Sequence, residues 1–202
     1  MRDALSRFFH FIAWSNFTRP GVYLAWLESL ALLGIVVWVA IATSSLLGGE
    51  QRDESPTDAL IASFATGLAL WVPVLFVFGL LHAYRWPVIA VLALIVVASP
   101  RARWHPARII LGALRDEPWL WVFFALCSFS ALLPPYRWDE TAYHLAQAEQ
   151  WAQAGTLTVD PWLRYPLNAF NWQLVQGVAL MMHSTALVHM LTWLTGCLSA
   201  LC

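Results

Sequence analysis

The chain contains no lysine, so its eleven strongly basic residues are all arginines. Only 11% of its 202 residues are charged, whereas a soluble domain carries about 25%. Hydrophobic residues make up 60%, and the mean hydropathy is +0.63. These values exclude an ordinary soluble domain and predict an integral membrane protein. No basic patch occurs outside the flanks of the apolar runs and the formal net charge is −1, so nucleic acid is not an expected partner.

The absence of lysine has two explanations. The planar guanidinium fork of arginine binds two phosphate oxygens at once, which suits a protein that recognises phosphate. Biased codon usage would remove lysine equally well and would carry no functional meaning.

Cysteine is also scarce. Cys127, Cys197 and Cys202 fall in apolar segments without paired spacing, which excludes a disulfide framework and a zinc site. No metal site is assigned from the sequence. The apolar stretch 8–17 lacks a small-residue cleavage site, so we interpret it as an interfacial segment and not as a removed signal peptide.

Six apolar runs dominate the chain, and about 20 apolar residues suffice to cross a bilayer as a helix. The sequence therefore predicts an all-α fold, a polytopic membrane helix bundle. The run at 86–99 is short, and it is either a thin span or a re-entrant piece. The predicted runs are 22–47, 59–81, 86–99, 118–133, 170–182 and 184–202.

The distribution of arginine predicts the orientation, because cytoplasmic loops are rich in arginine. Arginines precede the first span, and four more lie between 101 and 115. With both clusters in the cytoplasm, the loop 134–169 is external. This placement favours a re-entrant segment at 86–99. If that segment instead crosses the membrane as a full third span, the numbers of arginines on the two sides of the membrane are nearly equal.

An acidic pair, Asp139 and Glu140, directly follows a charge-free apolar run. Carboxylates stay ionised in the headgroup layer but cost roughly 2.5–3.5 kcal/mol in hydrocarbon. The pair could therefore serve a substrate held in the membrane. The alternative is structural, with Asp139 acting as the N-cap of a helix.

The sequence predicts that this helix covers 140–154 and ends at Gly155. It should lie in the membrane interface with Leu145, Ala148, Trp151 and Ala152 on one side. Its opposite side should carry Gln147, Glu149 and Gln150.

Glu140 and His144 are spaced by four residues, which makes them neighbours on this helix. They could serve one reacting oxygen or a divalent metal, or form an ordinary solvated contact. Further along, Asp160, Arg164 and Tyr165 form a stiff polar and aromatic segment. It suits sugar or headgroup contacts, with Arg164 as a phosphate ligand, but interfacial aromatic residues and a charged flank would look the same.

The ordered set Trp138-Asp139-Glu140-Thr141-Ala142-Tyr143-His144-Leu145, followed by Trp151, Gly155 and Tyr165-Pro166-Leu167-Asn168, resembles the first large external loop of the glycosyltransferase C superfamily. The resemblance covers 118–202 and is closest to bacterial members similar to protein O-mannosyltransferases and lipid A aminoarabinose transferases. Residues 1–117 then form an additional N-terminal membrane region. Relatives typically have eight or more spans, so the resemblance implies that this chain is an N-terminal portion.

The resemblance implies inverting transfer of a sugar from a polyprenyl-phosphate donor to a lipid, glycan or protein acceptor. The reaction would take place on the external face of the bacterial inner membrane. Asp139 matches the aspartate thought to act as base or to orient the acceptor hydroxyl, and Glu140 matches the second acid. The candidate substrate contacts are Tyr143, His144, Asp160, Arg164 and Tyr165. Some members use a divalent metal and others do not, so the cofactor stays open.

Two other functions remain. A transporter or flippase would have polar spans lining a path, but the apolar runs contain almost no ionisable residues beyond Glu28 and His189. A non-catalytic membrane scaffold would use the interfacial helix to bind a partner.

Overall fold

The computed structural model describes residues 20–47, 55–98, 100–129, 144–159 and 171–201. Within these ranges the protein has eight helices and no strand, which confirms the predicted all-α fold for this part of the chain. In chain order the helices are α1 (Pro20–Ser45), α2 (Pro56–Leu80), α3 (Trp86–Ala98), α4 (Pro100–Asp116), α5 (Pro118–Ser128), α6 (Leu145–Ala154), α7 (Asn171–Met181) and α8 (Thr185–Ser199).

Helices α1 and α2 are long enough to cross a membrane. They contain 26 and 25 residues, and at 1.5 Å per residue each measures about 38 Å, more than the hydrocarbon thickness of about 30 Å. By length and composition, the candidate spans in the described residues are Gly21–Ser45 and Pro56–Leu80. Together with the hydropathy of the chain, they indicate a membrane protein. Helix α2 is continuous through Pro73.

The other predicted spans coincide with shorter helices. Helix α3 has 13 residues, α5 and α7 have 11 each, and α8 has 15. A helix of 13 residues measures only about 20 Å. A polytopic bundle of six spans, and a membrane crossing at 86–99, therefore stay predictions.

Helix α4 was not predicted from the sequence, because its arginines and two prolines resemble a flank between spans. Its buried residues Pro106, Ile109 and Ala113 recur at helical spacing, and the helix packs against both α1 and α2. At Gly112 an added Cβ would lie 2.6 Å from the Cβ of Pro56. The end of α4 thus lies beside the start of α2.

The contact between α1 and α2 is the closest in the bundle core. Gly67 of α2 lies directly on the backbone of Ala40, where a Cβ would overlap the carbonyl group. One turn later, buried Trp71 donates from Nε1 to Thr43 Oγ1 at 3.0 Å. This bond satisfies the indole N–H, which would otherwise be buried without a partner.

Polar and aromatic contacts connect α1 to α5 and α8. Ser29 Oγ lies 2.9 Å from Ser184 Oγ, directly before α8. Trp26 donates from Nε1 to Ser128 Oγ at 3.1 Å and stacks on Phe129 with ring centroids 4.6 Å apart. These contacts attach the end of α5 and the start of α8 to one helix.

Candidate functional site

Most of the predicted site residues lie outside the described part of the chain. His144 is within it, at the start of α6 and half-buried. The roles assigned to the others therefore stay predictions. They are Asp139, Glu140, Tyr143, Asp160, Arg164 and Tyr165.

His144 contacts the next helix after the loop. The Nε2 atom of Gln173 lies 2.7 Å from His144 Nδ1. Since an amide nitrogen can only donate, His144 Nδ1 accepts in this contact. Gln173 is buried on α7, with 2% of its surface exposed. The contact therefore joins the two helices that flank residues 160–170.

Helix α6 ends where the sequence predicted. Gly155 has a left-handed backbone, with φ of 71°, and its N–H donates to Trp151 O at 2.8 Å. The prediction that Gln147 lies on the polar side is wrong, because only 2% of its surface is exposed. Helix α6 packs against α7, and the burial of Gln147 shows that the side predicted to be polar is covered at this position. An interfacial position of α6 stays a prediction.

Buried amides form a polar layer in this region, consisting of Gln147, Gln173 and Gln176. Within the part of the chain that the structure describes, Gln147 Nε2 and Gln176 Oε1 have no hydrogen-bond partner. A buried polar group without a partner costs about 1–3 kcal/mol. In the sequence, Gln173 and Gln176 interrupt the apolar run 170–182.

Tyr84 connects this layer to the end of α2. It is fully buried in the turn between α2 and α3, and its hydroxyl donates to the backbone oxygen of Leu174 in α7. Gly177 leaves room for the ring, since a Cβ there would meet the Tyr84 hydroxyl. Burial raises the pKa of Tyr84, because the phenolate would lose its hydration. The hydroxyl is therefore a permanent donor to α7.

The segment after α6 lies across the end of α2. Thr156 Oγ1 donates to Gly79 O at 3.0 Å, and the Leu157 N–H donates to the same oxygen at 3.2 Å. The Tyr84 N–H donates to Gly155 O at 3.0 Å. These bonds satisfy carbonyl groups at helix ends, where no partner exists within the helix. They position α6 relative to the end of α2.

Arg85 is a polar residue of this region that the sequence analysis missed. Its Nη2 donates to Gln153 O at 2.7 Å, in the last turn of α6. The signal was present in the sequence, because Arg85 is a single cation between the apolar runs 59–81 and 86–99. In the described residues, Arg85 and the amides of the α6 region thus come from three separate stretches of chain: the turn before α3, α6 and α7.

Within the described ranges, no three His, Cys, Asp or Glu side chains are grouped closely enough to hold a metal ion. No family model matches the chain. Searches among curated proteins and among solved structures likewise return no match. The region is therefore interpreted from its own residues.

Proposed function

We propose that this chain belongs to a membrane glycosyltransferase. It would transfer a sugar with inversion from a polyprenyl-phosphate donor to an acceptor on the external face of a bacterial inner membrane. The proposal rests on the ordered motif of the loop 134–169, which resembles the glycosyltransferase C superfamily. The two long apolar helices are consistent with a membrane location.

The contact between His144 and Gln173 is the structural observation that supports this proposal best. It joins His144, which belongs to the motif, to α7, which begins three residues after Asn168. Asp139 precedes His144 by five residues, and covalent geometry limits their separation to about 18 Å. The second half of the motif, 165–168, ends five residues before Gln173, so the same limit applies there. Both halves can therefore contribute to one site.

In the proposed reaction, Asp139 removes the proton from the acceptor hydroxyl as that oxygen attacks the anomeric carbon of the sugar. The bond from the anomeric carbon to the donor phosphate breaks, and polyprenyl phosphate leaves with the negative charge. General base catalysis of this kind contributes about 10²–10⁴-fold to the rate. An arginine such as Arg164 would stabilise the leaving phosphate. Tyr143, His144, Asp160 and Tyr165 are the further candidate contacts to sugar and acceptor.

A transporter would need ionisable groups facing an internal path. Glu28, the charge within the first predicted span, is exposed on α1 and faces away from the bundle. This position favours the enzyme over the transporter. A scaffold function makes no use of the buried amides and stays the weaker alternative.

The decisive experiment is the substitution Asp139→Asn in the full chain, reconstituted in lipid vesicles. The vesicles receive polyprenyl-phosphate mannose, glucose or aminoarabinose together with bacterial membrane lipids as acceptors. We expect release of polyprenyl phosphate by the wild-type protein and a loss of about 10²-fold or more in the variant.

The matched control is Asp116→Asn, which removes an exposed carboxylate at the end of α4. It should release polyprenyl phosphate at the wild-type rate. Equal thermal stability of both variants shows that the loss is not caused by unfolding. Wild-type turnover in Asp139→Asn, or no turnover of any donor by the wild-type protein, would contradict the proposal.

A further inference from the structure

A cavity of about 540 Å³ lies on the side of α6 that faces the start of α3 and the connection between α7 and α8. Its volume falls in the range of about 300–1,000 Å³ that small-molecule sites occupy. Apolar side chains form part of its wall, among them Ile89, Leu180 and Met181. Its polar groups include Arg85, Glu149 and Gln153.

Arg85 is held in place by the end of α6. Besides the bond from Nη2 to Gln153 O, the stem of the side chain lies on Gly155, where a Cβ would meet its Nε and Cδ atoms. Glycine is required there for two reasons, since Gly155 also has a positive φ. A guanidinium group has five N–H donors, so one bond leaves most of them available to a ligand.

Glu149 lines the same cavity and is held by the same residue. Gln153 Nε2 donates to Glu149 Oε1 at 3.0 Å, so Gln153 contacts both charged groups. Nevertheless, Arg85 and Glu149, which both belong to the described residues, form no ion pair with each other. The cavity therefore has a cation and an anion that are fixed separately and not neutralised by each other.

The start of α8 adds a second positive feature. Thr185, its first residue, also lines the cavity. The N-terminus of a helix carries a partial positive charge, which favours an anion nearby. His183 also lines the cavity, and its imidazole can donate a further hydrogen bond.

We infer that this cavity binds a phosphoethanolamine group, with the phosphate at Arg85 and the start of α8 and the primary ammonium at Glu149. The apolar wall suits the glycerol and acyl part of a lipid, so phosphatidylethanolamine is the expected source. Phosphatidylcholine cannot donate hydrogen bonds from its trimethylated nitrogen, and phosphatidylglycerol has no cation for Glu149. This inference requires a membrane location but not sugar transfer.

The test is a lipid competition on the purified full chain. Delipidated protein is equilibrated with detergent micelles that contain equal amounts of short-chain phosphatidylethanolamine, phosphatidylcholine and phosphatidylglycerol, and bound lipid is counted by mass spectrometry. A charge-assisted hydrogen bond corresponds to about a tenfold preference, so wild-type protein should retain about ten phosphatidylethanolamines per phosphatidylcholine. Glu149→Gln should bring this ratio to about 1.

Arg85→Gln should lower the retention of all three phospholipids by about tenfold. Gly155→Ala should do the same by displacing Arg85 without removing its charge. The control Arg115→Gln removes an exposed cation at the end of α4 and should change neither the ratio nor the amount. Asp139→Asn should also leave the ratio unchanged, which separates this result from the outcome for sugar transfer.

Soluble phosphoethanolamine serves as a second probe. Displacement of bound lipid at millimolar concentration, abolished by Glu149→Gln, would support the same site with an aqueous ligand. Lack of displacement with an intact lipid preference would support the membrane source. A wild-type ratio near 1, or equal ratios in Glu149→Gln and Arg115→Gln, would overturn the inference. Because Glu149 is exposed, Glu149→Gln remains informative even if the Arg85 variant fails to fold.

Discussion

Gly67→Ala should destabilise the protein, even though alanine is the better helix former. The new Cβ would overlap the carbonyl group of Ala40, which is backbone and cannot rotate away. Overpacking of this kind costs about 1–3 kcal/mol, while removing a glycine from a helix interior returns about 0.5–1 kcal/mol. Because the obstacle is rigid, we expect a net loss of about 2 kcal/mol. For a chain of this size that lowers the Tm by about 4–8 °C.

Gly34→Ala is the matched control. Gly34 lies in the interior of α1, and a Cβ there meets no atom within 4 Å. Its Tm should stay equal or rise by about 1–4 °C. The midpoint can be followed in detergent with a maleimide dye, since Cys197 is buried and Cys127 half-buried in the folded protein. A Gly67→Ala variant as stable as Gly34→Ala would refute the close packing of α1 on α2.

Four further substitutions test the buried polar groups of the bundle. Thr43→Val should lower the free energy of unfolding by about 1–3 kcal/mol, because it leaves the Trp71 N–H buried without its acceptor. In the same dye assay, the double variant that also carries Trp71→Phe should lose less stability than the sum of the two single variants. The free energy of unfolding of the wild-type protein should fall as the pH rises above about 10, because Tyr84 ionises in the unfolded chain but stays protonated when it is buried in the folded protein. Urea titrations should show that Tyr84→Phe loses less stability over the same rise in pH. Gln147→Met should raise the Tm by a few degrees, about 2–4 °C per kcal/mol, because it removes a buried amide whose Nε2 has no hydrogen-bond partner. An unchanged or lower Tm would indicate that this nitrogen is hydrogen-bonded in the folded protein.

The helical positions could be predicted because apolar runs of sufficient length specify a helix by themselves. For each of the six predicted runs a helix begins within three residues of the predicted start. Helix α4 escaped prediction because its apolar residues are separated by arginines, and only contact with α1 and α2 shows which side is buried.

In the candidate site, too, some features could be predicted from the sequence and others could not. Gly155 could be recognised as a helix end, since glycine adopts a left-handed backbone at no steric cost. The burial of Gln147 could not be recognised, because the periodicity of one helix does not show that a second helix covers its polar side. The contact between His144 and Gln173 joins residues 29 positions apart, and no local pattern encodes such a pairing.

By itself, the sequence determined the helical class, the apolar character and the place where α6 ends, since these depend on local composition and backbone preference. The tertiary structure alone decided that Arg85, Glu149 and Gln153 surround one cavity and that buried glutamines join α6 to α7. The reason is physical. Local propensities act over a few residues. The packing of helices that are distant in sequence determines which polar groups lose contact with water and which can still form a hydrogen bond.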